Sequence, residues 1–270
     1  MKKYLFVLLA IALLFSITAC SEKDNTIKPQ ILGYLLEQFV DAQAIHQITD
    51  PSSPDSLDFR GLYNYEIVAT DDYSPRSRVE TAGYDLDWAV FKTGYMVPAD
   101  QFRTRFLDGN TPGAFSVINA NRIRVYRRIV VEDSLGNCHY KELRALPIHS
   151  VENWDGIQEE AIKLSDLISD HSGFSDIMLV ASDGFARGYS PEQIADGYYL
   201  LNSERTTFPS FNAEMSNSLK RFKYVDKIRL NMAFGAALPQ YLNADNTNAD
   251  LSITLPELYD AYDSTVLETN

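Results

Sequence analysis

Six oxygen-bearing side chains near the C-terminus are spaced so that they could hold a hard cation. Asn246, Asn248, Asp250, Ser252, Thr254 and Glu257 fall at positions 1, 3, 5, 7, 9 and 12 of a calcium-binding loop, with Ile253 in the hydrophobic eighth place. Calcium needs several oxygens on a tight loop and a bidentate glutamate to close it. Two departures weaken that chemistry. Asn246 brings no charge where aspartate is usual, and Leu251 stands where a glycine normally takes a positive φ. The same residues support a second reading, in which Thr254-Leu255-Pro256-Glu257 is a capping box opening a short helix over 258–262.

Other chemistry-bearing residues are dispersed. His46, His139, His149 and His171 lack zinc-site spacing. There is no nucleophile elbow, phosphate-binding loop or dinucleotide fingerprint, so acyl transfer and nucleotide chemistry have no motif to stand on. Asp71/Asp72 and Asp85/Asp87 are paired carboxylates, but acid–base work depends on a separation and environment that spacing alone does not give. Asp71 and Asp183 occupy matching turn positions, where aspartate accepts nearby backbone N–H groups. Tyr63, Tyr65, Tyr73, Tyr84, Trp88, Phe91 and Tyr95 crowd one region, either as core filling or as a stacking surface.

The N-terminus positions the chain rather than the chemistry. Lys2 and Lys3 precede an unbroken apolar run over 5–15, too short to cross a bilayer as a helix, which takes about 20 residues. Ile17-Thr18-Ala19-Cys20 resembles a lipobox, so residues 1–19 read as a signal peptide and Cys20 as the lipidation site, with a tether over 20–28. The alternative is an ordinary secretory signal with an incidental cysteine. Ser21-Glu22-Lys23-Asp24-Asn25 is either a solvated tether or an acidic export signal. The expected location is the outer membrane, on its periplasmic or cell-surface face.

The chain has 270 residues and a formal charge of −13, which becomes −15 once the two lysines of the signal are removed. Such an acidic protein is a poor partner for nucleic acid, whose affinity rests on Lys and Arg displacing counterions. Cys138 is the other cysteine, so a lipidated Cys20 leaves no intrachain disulfide.

Two halves share a pattern. Tyr63-Asn64-Tyr65-Glu66-Ile67-Val68-Ala69 and Ile177-Met178-Leu179-Val180-Ala181 read as strands, each ending in a hydroxyl-Asp-x-aromatic turn. Ser74-Pro75 and Ser190-Pro191 follow them, then Val97-Pro98 and Phe208-Pro209. Arg122-Ile123-Arg124-Val125 and Lys227-Ile228-Arg229-Leu230 read as closing strands, at an offset of about a hundred residues that favours tandem units over a solenoid. Chance recurrence of strand and turn is the alternative. Residues 29–48 have helical apolar spacing, 164–168 read as a short helix, and Ser190-Pro191-Glu192-Gln193 as a capping box. These mixed short elements predict an α+β fold of two associated domains, 29–125 and 126–270, the second ending in the EF-hand-like loop.

The stretch from Trp154-Asp155-Gly156 to Leu230 resembles the molybdopterin-binding domain of the sulfite oxidase superfamily. The resemblance rests on that W-x-G turn, Leu164-Ser165-Asp166-Leu167-Ile168 with Ser172-Gly173-Phe174, Val180-Ala181-Ser182-Asp183-Gly184-Phe185, Tyr199-Leu200-Leu201, and the run from Lys223 to Leu230. It covers about a third of the chain in short motifs. That family holds molybdenum on a cysteine ahead of the W-x-G turn. Here that place reads Ala145-Leu146-Pro147-Ile148-His149, without a thiolate, and the family's pocket arginines and histidines have no located counterparts. The resemblance implies a degenerate fold without molybdopterin chemistry.

The expected function is a non-catalytic, lipid-anchored ligand-binding or accessory module, with a small ligand or an outer-membrane transporter as partner. Its expected cleft rim is Trp154, Ser182, Asp183, Phe185 and Arg187. The alternatives are a divergent molybdopterin oxidoreductase and a calcium-dependent surface adhesion protein.

Overall fold

Strands carry most of the regular structure, and the central ones are buried along most of their length. The computed structural model describes residues 33–50, 52–54, 56–77, 86–107, 109–168, 176–233 and 249–255. In order these form β1 (Tyr34–Leu35), α1 (Ala42–Thr49), β2 (Tyr63–Ala69), α2 (Trp88–Phe91), β3 (Gly94–Val97), β4 (Arg103–Phe106), β5 (Ala120–Glu132), β6 (Cys138–Glu142) and β7 (Ile148–Glu152). There follow β8 (Gln158–Lys163), α3 (Leu164–Leu167), β9 (Ile177–Ala181), β10 (Ala186–Tyr189), α4 (Pro191–Asp196), β11 (Tyr198–Leu200), β12 (Arg205–Thr207), α5 (Asn217–Lys220), β13 (Val225–Leu230) and β14 (Leu251–Thr254). The class is α+β. No helix among the described residues is long and apolar enough to cross a membrane.

The long strand β5 organises a seven-stranded sheet. Its first part pairs antiparallel with β2 and β14, its second part antiparallel with β6 and parallel with β13. A three-stranded sheet, β1-β3-β4, covers one end, and a four-stranded sheet, β12-β11-β8-β7, covers the other. The described residues belong to one compact unit with two hydrophobic cores. The first core gathers Leu36, Tyr63, Tyr65, Ile67, Phe91 and Ile123, so the buried aromatics of that region are filling. The second gathers Ile129, Leu164, Leu179, Tyr199, Phe208 and Ile228. The domain boundary expected after residue 125 falls inside β5.

The two cores are built by the same sequence of elements. β1 pairs with β3 as β8 pairs with β11, and each then forms a hairpin, β3–β4 or β11–β12. β2 lies antiparallel to β5 as β9 lies antiparallel to β13. The details repeat too. Tyr73 N–H donates to Asp71 Oδ1 at 3.1 Å, and Phe185 N–H to Asp183 Oδ1 at 2.9 Å. Val117 N–H donates to Thr104 Oγ1 at 2.8 Å, and Phe222 N–H to Thr206 Oγ1 at 3.0 Å. Left-handed residues recur in register: Phe102 and Glu204 both have φ near +51°, and Asn119 and Tyr224 have φ of +53° and +50°. A non-glycine residue at positive φ is uncommon. Its recurrence makes it a property of the architecture rather than local strain.

Two sequence expectations change. Residues 29–48 are not one helix: β1 and a 3-10 turn over Leu36–Phe39 precede α1, and residues 29–32 lie outside the described ones. Leu35 pairs with Tyr95 in extended conformation, and Asp41 restarts the helix by accepting Gln43 N–H at 2.9 Å. Nor does Ser190 match Ser74. Ser190 caps α4 through a complete capping box, and its counterpart is Asp87, which caps α2 by accepting Val90 N–H at 2.9 Å.

Consecutive arginines close the seam between the halves from opposite faces of β5, because successive strand residues point to opposite sides. On the core side Arg127 donates to Leu62 O, to Val225 O at 2.7 Å and to Glu204 Oε2 at 2.9 Å. On the outer side Arg128 donates to Gly61 O at 3.2 Å and faces Asp226 at 3.6 Å. Tyr224 crosses into the first core, where its ring lies 4.6 Å from Phe59 and its hydroxyl donates to Asp50 Oδ2 at 2.9 Å.

Candidate functional site

The expected rim residues come from two segments. Ser182, Asp183, Phe185 and Arg187 line the turn after β9 and the start of β10. Ser182 N–H donates to Tyr224 O at 3.0 Å, and Asp183 accepts its own turn's N–H. Gly184 takes φ of +84° there, where Asp72 takes +63° in the first half. Phe185 stacks on Phe222 at 5.7 Å and carries Arg187 over its other contacts, 4.0 Å from the ring centroid. These contacts hold the turn against the segment over 222–224, next to Arg221, which lies 4.8 Å from the Trp154 ring.

Trp154 belongs to the tip of the β7–β8 hairpin. Asn153 holds that tip: its Oδ1 accepts the N–H groups of Asp155 at 2.9 Å and Ile157 at 3.0 Å. Gly156 supplies the positive φ, +79°, that the turn requires. Glu159 ties the tip to the loop before β12, accepting Asn153 Nδ2 at 2.6 Å and Ser203 N–H at 3.1 Å. The Trp154 ring is thereby set against two guanidinium groups, Arg221 at 4.8 Å and Arg205 at 5.9 Å.

Strand alternation explains why those cations converge. Arg205 and Lys223 are bridge partners, so they share a face, and Arg221, which caps the end of α5 two residues before Lys223, reaches the same indole. The intervening Thr206 and Phe222 point into the core, with exposures of 0% and 2%. Arg221 faces Asp155 at 3.6 Å. Among the described residues Arg205 has no carboxylate within ion-pairing distance, unlike its counterpart Arg103, which pairs with Asp100 at 3.2 Å. Trp154 Nε1, Arg205 Nε, Arg221 Nε and Ser203 Oγ are all shielded from solvent without a hydrogen-bond partner. Guanidinium Nε atoms without a hydrogen-bond partner also occur at Arg103, Arg122 and Arg128, so what distinguishes this place is the convergence of two such groups on one indole whose own N–H has no acceptor.

The calcium-spaced run takes a different form. Ser252 and Thr254 lie in β14 opposite Arg124 and Arg122, an extended segment rather than a loop. Both Asp250 oxygens are engaged, Oδ1 by Arg144 Nε at 2.6 Å and Oδ2 by Arg127 N–H at 2.7 Å. Asn246, Asn248 and Glu257 lie outside the described residues, as does Cys20. Among the described residues no three His, Cys, Asp or Glu side chains are grouped to hold a metal ion.

Three further buried polar groupings carry internal partners. Arg127, Glu204 and Tyr199 form a closed network in which burial pushes the Glu204 carboxyl up while Arg127 and the Tyr199 hydroxyl oppose that. On the outer sheet face Tyr126 donates to Glu66, and Arg76 pairs with Glu142 while stacking 3.7 Å over the Tyr126 ring. Cys138 opens β6 opposite Glu132, and burial, then the Glu132 charge, push its thiol up. A thiol held protonated is a weak nucleophile and metal ligand.

Arg205 and Arg221 do not stand out in the sequence, which shows two ordinary surface-type cations sixteen residues apart. The available signal is alternation: Arg205-Thr206-Thr207 and Arg221-Phe222-Lys223 each place a cation beside an inward residue. Recognising it requires knowing that the two segments pair. Comparison of the chain with family models, curated proteins and solved structures finds no match.

Proposed function

We propose that this chain is a non-catalytic, lipid-anchored binding or accessory module of the outer membrane, held by Cys20, with its ligand face at Trp154, Arg205 and Arg221. One observation carries the reading. The tip of the β7–β8 hairpin lays the Trp154 indole across two guanidinium groups, and Arg205 has no ion-pairing carboxylate among the described residues. An aromatic flanked by guanidinium groups is a common means of fixing a ligand's orientation. The partner is a small ligand at this face or an outer-membrane transporter to which the module delivers it.

The sulfite oxidase resemblance bears on fold ancestry rather than on chemistry. Its W-x-G motif is the hairpin tip that carries Trp154.

Fractionation of cells expressing the wild-type chain and Cys20→Ala tests the anchor, the wild type partitioning with outer membranes and the variant leaving them. Equilibrium dialysis of the purified protein against neutral, cationic and anionic small molecules tests the binding role. Binding that weakens in Trp154→Ala supports it. Stoichiometric molybdenum in the purified protein would overturn it in favour of the oxidoreductase.

A further inference from the structure

We infer that the ligand of the Trp154 face is a small molecule bearing an oxyanion: a carboxylate, phosphate or sulfate. This rests on the reading of that face as a binding site and narrows it to one chemistry. Trp154 Nε1, Arg205 Nε and Arg221 Nε come from three separate segments, are shielded from water, and lack an acceptor. A donor in that position is costly unless a bound group accepts from it. Ser203 Oγ, buried and equally unpartnered, comes from the loop that Glu159 ties to the hairpin tip.

Charge decides between a neutral acceptor and an anion. Arg205 and Lys223 share one face, Arg221 joins Arg205 at the Trp154 ring, and two carboxylates stand against these three cations: Asp155, 3.6 Å from Arg221, and Glu159, already engaged by Asn153 Nδ2 and Ser203 N–H. Asp50 acts on Arg205 only at longer range and is already engaged by Ser52 and Tyr224. The face is therefore locally cationic on a chain whose formal charge is −13. Guanidinium groups bind oxyanions through short, charge-assisted bonds, and indole N–H adds a third donor of the same polarity. The overall negative charge disfavours a polyanionic backbone.

The test uses the full chain carrying Trp88→Phe, so that Trp154 alone fluoresces, with calorimetry on the unaltered chain as a second measure. Acetate, citrate, phosphate and sulfate are titrated separately against chloride at matched ionic strength, and a neutral disaccharide serves as the uncharged arm. At least one oxyanion is expected to give a saturable change, and which one does so distinguishes the sources. Arg205→Gln and Arg221→Gln should each weaken it about tenfold or more. Should either fail to fold, Arg205→Lys and Arg221→Lys keep charge and stem but lose the fork, and should still weaken binding several-fold. Oxyanion binding unchanged in these variants overturns the inference. Binding of the disaccharide alone overturns it too, but leaves the binding role standing. Binding of none of these probes, with no change at Trp154, overturns both.

Discussion

Gly94 and Gly197 occupy one position in two copies of the same hairpin. A methyl group at Gly94 would lie 2.6 Å from Leu36 Cδ1 and 2.7 Å from Phe106 Cε1. At Gly197 it would lie 2.7 Å from both Leu164 Cδ1 and Phe208 Cε1. A leucine and a phenylalanine thus close over a missing side chain in each half, which fixes how the small sheet sits on its core. Such agreement follows from repeated packing, since backbone pattern alone would not select the same three residue types twice. Substituting alanine forces atoms apart at a cost of about 1–3 kcal/mol. Phe208 is fully buried, whereas Phe106 is only partly buried and freer to move. Urea denaturation should therefore show a larger loss for Gly197→Ala than for Gly94→Ala. Equal or reversed losses would mean that the two contacts are not alike.

Arg127 and Glu204 make the second prediction. Both are 3% exposed, and the pair joins β5 to the loop before β12. Burial alone would lower the Arg127 guanidinium, and Glu204 together with Tyr199 and Tyr63 more than offsets that. In the first half Phe102 takes Glu204's left-handed place, so the fold itself does not need an acid there. Removing one partner leaves the other charge buried and uncompensated, at about 3–5 kcal/mol. Arg127→Met and Glu204→Gln should each cost that much, and the double variant much less than the sum. Additive losses in a double-mutant cycle would show that the two do not act as a pair.

What was legible in the sequence was local. β2, β9 and the end of β13 follow from apolar runs bounded by Asp turns, and α4 from a capping box complete within four residues. The doubled pattern is visible there too, though its true register is not, because Ser74-Pro75 imitates the cap that Asp87 supplies. Residues 29–48 mislead for a related reason. Leu35, Leu36, Phe39 and Val40 have helical spacing, but Leu35 is claimed by Tyr95, some sixty residues away. Asp250 is likewise decided by Arg144 and by the Arg127 backbone. The Trp154 face needs three segments to meet, which no single window contains.

Acid should weaken the fold through carboxylates that are better held folded than unfolded. Burial raises Glu132, but Lys227 and then Arg229, with its Nε at 3.0 Å, hold the carboxyl below its ordinary value of 4.5. Asp50 behaves alike: burial raises it, and Ser52 Oγ at 2.6 Å, Ser52 N–H at 2.9 Å and Tyr224 outweigh that. A depressed folded pKa adds stability that is present above the unfolded value and is lost as pH falls through the folded one. Stability from urea titrations should decline below about pH 4.5, and Asp50→Asn should be less stable at neutral pH yet show a shallower decline. An unchanged slope in that variant would remove Asp50 from the acid response.

Alkali acts through the tyrosines, with the sign reversed in pH. Burial first, then neighbouring acids, lift the Tyr63, Tyr126, Tyr199 and Tyr224 hydroxyls above their ordinary value of 10.0, and burial lifts Tyr189 as well. Each raised hydroxyl contributes stability that is intact below pH 10 and lost as pH rises toward the folded value, because the unfolded chain ionises first. Tyr126 and Tyr199 donate to Glu66 and Glu204, so ionising either in place would set two anions against each other without water to screen them. Tyrosinate absorbance should therefore rise in two stages: exposed residues near pH 10, the buried set together with loss of near-ultraviolet circular dichroism. Tyr126→Phe removes one ionisable hydroxyl and should delay the second stage if Glu66 tolerates the loss of its donor. A single smooth titration with the tertiary signal intact would show that these rings are reached by solvent without unfolding.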